Sequence, residues 1–336
     1  MRQFCRMKVK PWESEVSVWG ALAVMAVCFV ILTWCASWFV DGAVGIADYL
    51  NVPKILIGIV LVSLATTSPE LAVSLMSALD GHPEIALGNA IGSVIVDDGV
   101  ALGLGAVVAT APIRINPYVL KTLGLFFLAV AVCAYAMAFD GGLDRIEGGV
   151  LVSLFLIYMI FTFINRRRTG ESDTIGNSQE NEAPKKGIFG LIVWFLLGLV
   201  GVLISSHFIV DASIVIAKYL GVGEVMIGLT IVAIGTSLPE IATAVTACRK
   251  GHGEIMVGNI LGADILNLCW IAGASALVNP LIVGTRVTHF SFPVMLIFVT
   301  AILVVMRTRY QLARGEGIFL IVLYVVYLIV TIGFFL

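Results

Sequence analysis

The sequence predicts an all-α polytopic membrane protein of ten transmembrane helices, built as two inverted-topology repeats of five helices each. The first observation is composition: 60% of the 336 residues are hydrophobic and 12% are charged, and the mean hydropathy is +1.04. Soluble domains carry about 25% charged residues, so the chain belongs in a lipid bilayer. The second observation is a series of ten apolar segments, and the third is an internal repeat.

Each apolar segment has about the 20 residues that a helix needs to cross the hydrocarbon core of a bilayer. The segments are 18–40, 54–79, 85–112, 117–138, 146–165, 188–210, 224–247, 255–279, 288–306 and 317–336. Four basic residues precede the first segment, as in a signal peptide, but its apolar part is about twice the usual length and predicts a helix. A polar stretch predicts a linker at 166–187 between an N-terminal half (1–165) and a C-terminal half (188–336).

Basic residues predict the orientation. With the N-terminus outside, the inner loops hold 13 Lys and Arg and the outer side holds 7, and the excess is expected on the cytoplasmic side. We therefore expect a multi-pass protein of the cell (plasma) membrane with a cytoplasmic linker. The net charge of −2 predicts no nucleic-acid partner, and we expect a monomer. The six cysteines form no CxxC pair and are interpreted as small hydrophobic residues.

The internal repeat covers residues 40–98 and 210–268, which align at a constant offset of 170 without a gap. Thr66 aligns with Thr236 and Glu70 with Glu240. Because each half holds five crossings, an odd number, the second copy must enter the membrane from the opposite side. Inverted repeats of this kind are typical of secondary transporters, whose substrate site lies near the membrane midplane where interrupted helices meet.

Both repeats place a proline in mid-membrane, within TTSPE (66–70) and GTSLPE (235–240). Each proline removes a backbone donor, so we expect interrupted helices with free carbonyl oxygens that bind cations. Oxygen-bearing side chains cluster at these breaks and one helix further on: Thr66, Thr67, Ser68, Glu70, Thr236, Ser237, Glu240, Ser93, Asp97 and Asn267. This set suits Ca²⁺ or Na⁺ and not Zn²⁺ or copper.

The two glutamates carry the strongest prediction, because a mid-membrane carboxylate costs at least ~3 kcal/mol. For the neutral Ser, Thr and Asn side chains, an alternative stays open: they bridge helices and bind no ion. His82 and His252 are expected in tight hairpin turns, where a proton-shuttle role is a further alternative.

The motif GTSLPE followed by GNILGADILN, with its partial duplicate ATTSPE and GNAIGSVIVD, resembles the α-repeats of the sodium/calcium exchanger family, within the cation/calcium antiporter superfamily. The specific match covers about a third of the chain. The resemblance implies ten helices, ion sites in helices two, three, seven and eight, and long tilted helices one and six that slide to alternate access. By motif position it implies side-chain ligands at Thr66, Thr67, Glu70, Ser93, Asp97, Thr236, Ser237, Glu240 and Asn267, and carbonyl ligands at Ser63 and Ala233.

The chain departs from the family pattern at three positions. Microbial exchangers commonly carry Asn in the first repeat and Asp in the second, whereas here Asp97 and Asn267 are exchanged. A serine frequent in the second repeat is replaced by Ala263. Asp98 is an extra acid, opposite Leu268 in the repeat. Three roles for Asp98 stay open: a proton carrier, an added ligand for a divalent cation, or a polar group satisfied against another helix.

Together these features predict an antiporter that exchanges Ca²⁺ for Na⁺ by alternating access at a midplane carboxylate site. The alternative is an H⁺-coupled antiporter of Ca²⁺ or another divalent cation. An enzyme is not expected, because the chain lacks an HExxH motif and lacks the Ala-Arg pair that an alcohol phosphotransferase places after its Asp-Gly. An ion channel is disfavoured, because channels usually assemble pores from repeated subunits. No cofactor is expected beyond the transported Ca²⁺ and Na⁺ or H⁺.

Overall fold

The computed structural model describes residues 17–50, 52–164, 187–219, 233–282 and 287–335, and these residues are almost entirely helical. The helices are α1 (Val18–Leu50), α2 (Lys54–Thr66), α3 (Ser68–Leu79), α4 (Pro83–Val96, continued by Asp97–Ala101 and Leu102–Val108), α5 (Pro117–Asp140), α6 (Arg145–Ile164), α7 (Ile188–Tyr219), α8 (Ala233–Thr236), α9 (Leu238–Arg249), α10 (Gly253–Val278), α11 (Thr288–Arg307) and α12 (Arg314–Phe335). Four two-residue strands are β1 (Ile113–Arg114), β2 (Gly142–Leu143), β3 (Leu281–Ile282) and β4 (Gln311–Leu312).

Within these described ranges, seven helices are long and apolar enough to cross a membrane, or eight if the bent pair α2 and α3 forms one span. The start of the predicted segment 224–247 lies outside the described residues. So do all but the last residue of the predicted linker 166–187 and the basic residues ahead of α1. The chain is therefore a multi-pass membrane protein, as its composition predicts.

Helices α1 and α7 are longer than the apolar segments that predict them. They contain 33 and 32 residues, whereas the predicted segments end at residues 40 and 210. Aspartates at positions 41 and 211 end the apolar runs, but neither residue breaks a helix. A helix of this length spans about 50 Å, which exceeds a bilayer core of about 30 Å, so both helices must tilt or protrude.

Helices α1 and α7 pack against each other along one side of the molecule. The rings of Phe39 and Phe195 stack with their centroids 4.6 Å apart, and those of Trp38 and Trp194 meet edge to face at 5.7 Å. Only about a quarter of the residues in the apolar stretch of α1 or α7 are buried, whereas the buried share is 72% in α4 and 94% in α10. The fold thus has a central layer around α4 and α10 and a peripheral α1–α7 pair that is largely exposed.

Each predicted helix interruption lies two residues before its proline. Backbone angles at Thr67 (φ −78°, ψ 5°) and Ser237 (φ −84°, ψ 7°) leave the helical range. Pro69 and Pro239 then occupy the first turn of α3 and α9, where the missing N–H is not needed. The axes of α2 and α3 differ by 45°, so the first break also changes the direction of the chain.

Contacts between the two halves of the chain are reciprocal. Strand β1 of the first half pairs antiparallel with β4 of the second, and β2 pairs with β3. A β-carbon at Gly317 would lie 2.7 Å from the carbonyl oxygen of Gly103, and one at Gly148 would lie 2.7 Å from that of Gly273. Gly103 and Gly273 are equivalent under the 170-residue offset. The two repeats are therefore interlocked rather than placed side by side.

Candidate ion-binding site

The two helix breaks converge on α4 and α10 at the centre of the bundle. Three carboxylates that the sequence predicts as ion ligands, Glu70, Asp97 and Glu240, have no solvent exposure. We call them the central carboxylates. Glu70 and Glu240 lie in the first turns after the two breaks, and Asp97 begins a widened π-helical turn in α4. The structure thus brings residues from both repeats to one place.

The central carboxylates interact electrostatically with one another. Glu70 is within reach of both Glu240 and Asp97, and Asp97 is within reach of Glu240. The ion pairs that the described side chains form lie elsewhere, such as Lys250 with Asp41 at 2.6 Å and His207 with Asp211 at 3.5 Å. Three like charges in a low-dielectric interior repel strongly, so their ionised forms require a positive charge between them.

Hydroxyl and amide groups connect the site across the repeats. The Ser237 hydroxyl donates to Glu70 Oε1 at 3.4 Å. The Thr66 hydroxyl donates to Asn259 Oδ1 at 3.3 Å, and the Thr236 hydroxyl donates to Asn89 Oδ1 at 3.4 Å. These last two bonds are equivalent under the 170-residue offset. Each half therefore completes the hydrogen bonding of the other half's helix break.

The two asparagines were not predicted as site residues. Asn89 also donates from Nδ2 to the Glu70 carbonyl at 3.2 Å and to Ser74 Oγ at 3.0 Å, so it supports the break from α4. The repeat does align Asn89 with Asn259, and a polar pair retained in two buried helices could have marked them. Nothing in the sequence, however, indicates which hydroxyl each side chain contacts.

At the first helix break, more backbone carbonyls accept hydrogen bonds than the proline alone predicts. The Ala65 carbonyl, which Pro69 leaves without its helical donor, accepts a hydrogen bond from Ser68 Oγ at 2.7 Å. The Ser63 carbonyl accepts from the Thr67 amide at 3.0 Å and from the Thr67 hydroxyl at 2.8 Å. The expectation that proline leaves these carbonyls free is wrong for this conformation, because neighbouring hydroxyls occupy them. Ser63 Oγ itself donates to the Ile59 carbonyl.

The remaining predicted ligands are buried at the same level. This holds for Ser93 on α4 and Asn267 on α10. Ala233, the predicted carbonyl ligand, begins the short helix α8. Among the described residues, these buried polar atoms at the site have no hydrogen-bond partner: Glu70 Oε2, Ser93 Oγ, both carboxylate oxygens of Asp97 and Glu240, and both amide atoms of Asn267. Buried polar atoms are nearly always paired, so this concentration is typical of a site for a polar ligand.

The carboxylates do not enclose a metal ion by themselves. In the part of the chain that the structure describes, no group of three or more His, Cys, Asp or Glu side chains is arranged to hold a metal ion. A cation at this site would need hydroxyl, amide or carbonyl oxygens beside the carboxylates. Hard cations such as Ca²⁺ and Na⁺ accept such mixed oxygen ligands, and Ca²⁺ takes 6–8 of them.

Asp98, which the repeat leaves unexplained, lies beside a second acid that the sequence analysis missed. Its carboxyl group contacts that of Asp264 on α10, and both residues have no solvent exposure. Asp264 aligns with Val94 in the repeat, so the repeat could not identify it. An acid within a long apolar run was the one available indication.

Buried carboxylates, hydroxyls and amides contributed by two interlocked repeats of membrane-spanning helices define a cation transporter. The model of the family described as sodium/calcium exchanger protein matches residues 20–164 and 190–333. The chain therefore belongs to the sodium/calcium exchanger family of cation antiporters, a family of transporters and not of enzymes. This confirms the resemblance found in the two repeats.

Individual relatives match over almost the whole chain. Inner membrane protein YrbG of Escherichia coli is 34% identical over 307 residues, covering 89% of this chain and 93% of the relative. Sodium/calcium exchanger MaX1 of Methanosarcina acetivorans is 31% identical, covering 91% and 97%. A solved structure of the sodium-calcium exchanger NCX_Mj superposes with a TM-score of 0.77 at 28% identity, covering 91% of this chain and 96% of that one.

Proposed function

We propose that this protein is a secondary active antiporter that exchanges Ca²⁺ for Na⁺ at a midplane site built around the central carboxylates. The observation that carries the proposal is the burial of Glu70, Asp97 and Glu240 within electrostatic reach of one another, with unpartnered oxygens from both repeats around them. MaX1 and NCX_Mj are named as sodium/calcium exchangers, which supports the same pair of ions.

The charge of the site explains why the two cations compete. The three ionised carboxylates carry −3, which three Na⁺ neutralise, or one Ca²⁺ together with one retained proton. In a low-dielectric interior an uncompensated charge is costly, so both the empty and the overfilled site are unfavourable. The site therefore exchanges one cargo for the other, and this exclusion couples the two gradients.

The proposed ligands are those expected from the sequence. The carboxylates of Glu70, Asp97 and Glu240 supply charge, and neutral oxygens complete the shell. These come from the side chains of Thr66, Thr67, Ser93, Thr236, Ser237 and Asn267 and from the backbone carbonyls of Ser63 and Ala233. The Ser63 carbonyl and the Thr67 hydroxyl are bonded to each other in this conformation, so binding through them requires that bond to open.

The proposed architecture is ten helices in two inverted halves, with residues 166–187 as a cytoplasmic linker and the N-terminus outside the plasma membrane. The reciprocal strand pairs and hydrogen bonds support two equivalent halves. The family resemblance implies that the long pair α1–α7 is the moving part, and the low burial of both helices is compatible with that role. We propose that this pair reorients the occupied site within a monomer.

The test is Ca²⁺ uptake into proteoliposomes driven by an imposed Na⁺ gradient or, separately, by a pH gradient. We expect Na⁺-driven uptake that Glu240→Gln abolishes and that Asp80→Asn leaves intact, because Asp80 lies exposed in the hairpin after α3. Uptake driven only by the pH gradient would establish the H⁺-coupled alternative. Normal transport by Glu240→Gln would refute the carboxylate site.

A second test moves the charge across the repeats. Asp97→Asn removes one of the three negative charges and is expected to abolish transport. Adding Asn267→Asp returns a carboxylate at the equivalent position, where microbial relatives of the family commonly carry it, and is expected to restore part of the rate. Asn267→Asp alone adds a fourth central charge and serves as the matched control. Failure of the double variant to recover would show that the two positions are not interchangeable.

A further inference from the structure

Asp98 and Asp264, which we call the side pair, form a second group of buried carboxylates next to the central site. They come from different halves of the chain, Asp98 from the π-helical turn Asp97–Ala101 of α4 and Asp264 from α10. Both side chains have 0% exposure, and their carboxyl groups lie within hydrogen-bonding reach of each other. π-Helical turns inside α-helices frequently mark functional sites.

The oxygens of the side pair point to a ligand. Across the residues that the structure describes, the four carboxylate oxygens of Asp98 and Asp264 have no hydrogen-bond donor outside the pair. Two ionised carboxylates are both acceptors, so they cannot stabilise each other, and a buried ionised pair is unfavourable unless a positive charge lies between them. Among the described residues, the charged groups that act on Asp264 are other acids, namely Asp98, Asp97 and Glu240.

The side pair is specific to this arrangement of the two halves. Under the 170-residue offset, Leu268 is equivalent to Asp98 and Val94 is equivalent to Asp264. Each acid therefore has an apolar counterpart in the other repeat, and the pair exists only because the fold brings α4 and α10 together. A polar contact that both repeats share would join equivalent residues, whereas Asp98 and Asp264 occupy non-equivalent positions.

The side pair is also continuous with the central site. Asp264 interacts electrostatically with Asp97 and Glu240 as well as with Asp98. Five buried carboxylates thus interact electrostatically, and their formal charge is −5 when all are ionised. One Ca²⁺ at the central carboxylates leaves most of this charge unbalanced, which favours a second cation beside it.

We propose that Asp98 and Asp264 form a second site for a hard metal cation, adjacent to the central site and of the same ligand chemistry. This inference rests on the proposed function, since the cation is of the class that the central site transports. The second cation bridges the two carboxylates. Its positive charge lowers the electrostatic repulsion between the side pair and the central carboxylates. It raises the number of cations that the protein binds and strengthens binding at the centre.

The experiment is equilibrium binding of radioactive Ca²⁺ to the purified full-length protein at constant pH. Each acid is replaced by its repeat equivalent, as Asp98→Leu and Asp264→Val, and by its near-isostere, as Asp98→Asn and Asp264→Asn. The isosteric variants preserve packing, and their unfolding temperatures show whether they fold. Glu240→Gln is the comparison at the central site.

We expect each side-pair variant to bind one Ca²⁺ fewer per chain than the natural protein and to hold the remaining ion more weakly. Glu240→Gln is expected to lose the central ion and to keep the side-pair ion. Equal Ca²⁺ stoichiometry in the natural protein and in folded Asp264→Asn would overturn the proposal, since a shared proton or a packing role leaves the metal count unchanged. A different result would refute the proposed function and leave the side-pair proposal intact. In that case Glu240→Gln transports normally, while the side-pair variants still bind one Ca²⁺ fewer.

Discussion

Asn89 and Asn259 occupy equivalent positions in the two repeats but make different numbers of hydrogen bonds, so their substitutions form a matched pair. Asn89 makes three hydrogen bonds to other helices: with the Glu70 carbonyl, with Ser74 Oγ and with Thr236 Oγ1. Asn259 accepts one, from Thr66, and among the described residues its Nδ2 has no partner. Asn→Ala at either position removes the same atoms from a buried site, so the loss of packing is similar.

The hydrogen bonds set the difference between the two variants. Interhelical hydrogen bonds in membrane proteins contribute about 0.6 kcal/mol each. Asn89→Ala is therefore expected to destabilise the protein by about 2 kcal/mol through its three bonds, and Asn259→Ala by about 0.6 kcal/mol through its one. Removal of an unpartnered Nδ2 reduces the cost of Asn259→Ala further, because that amide is desolvated without compensation.

The assay is thermal unfolding of both variants and the natural protein, purified in the same detergent at the same concentration. A difference of about 1 kcal/mol corresponds to roughly 2 °C in Tm for a chain of this size. Thr236→Val in each background completes a double-mutant cycle, in which only Asn89→Ala is expected to couple to Thr236. Equal Tm losses, or a larger loss for Asn259→Ala, would refute the assigned hydrogen bonds.

Two further predictions concern packing and charge away from the central carboxylates. Gly258→Ala is expected to cost about 1–3 kcal/mol, because its β-carbon would collide with the Ile55 carbonyl. Thermal unfolding of Gly258→Ala beside the natural protein measures this cost, and an unchanged Tm would contradict the close approach of Gly258 to Ile55. The half-exposed pair Lys250–Asp41, at 2.6 Å, is expected to contribute about 0.2–1 kcal/mol. Asp41→Asn leaves the hydrogen bonds of Lys250 to Ser37 in place and should lower Tm at low salt and not at high salt, so a salt-independent loss would exclude an electrostatic origin.

The sequence predicted the two helix breaks, because local chemistry determines where they occur. Pro69 and Pro239 start new helices in mid-membrane because proline lacks the N–H that a continuous helix requires, and this effect depends on nothing beyond the neighbouring residues. Glu70 and Glu240 follow directly, so their position at the breaks was fixed by their place in the motif. Their convergence followed from the repeat, since equivalent segments of interlocked halves meet at the axis that relates them.

Contacts between non-equivalent residues could not be predicted in this way. Asp264 has Val94 as its repeat counterpart, and its contact with Asp98 depends on how α4 crosses α10. The prolines were expected to leave carbonyl oxygens of the preceding turn free, but the Ala65 carbonyl accepts a hydrogen bond from the Ser68 hydroxyl. Rotamers and helix crossings decide such contacts, and neither is encoded in the spacing of residues along the chain.

By itself, the sequence determined that the chain spans a membrane, that its two halves repeat at an offset of 170 residues, and that broken helices carry acids into the bilayer. These are consequences of composition, periodicity and local backbone chemistry, which need no knowledge of distant contacts. The tertiary structure alone decided that each asparagine, Asn89 or Asn259, accepts a hydrogen bond from a threonine of the other half. It also decided that Asp98 lies against Asp264. Such partners lie about 150 residues or more apart, and only the packing of the helices brings their side chains within the few ångströms over which polar groups act.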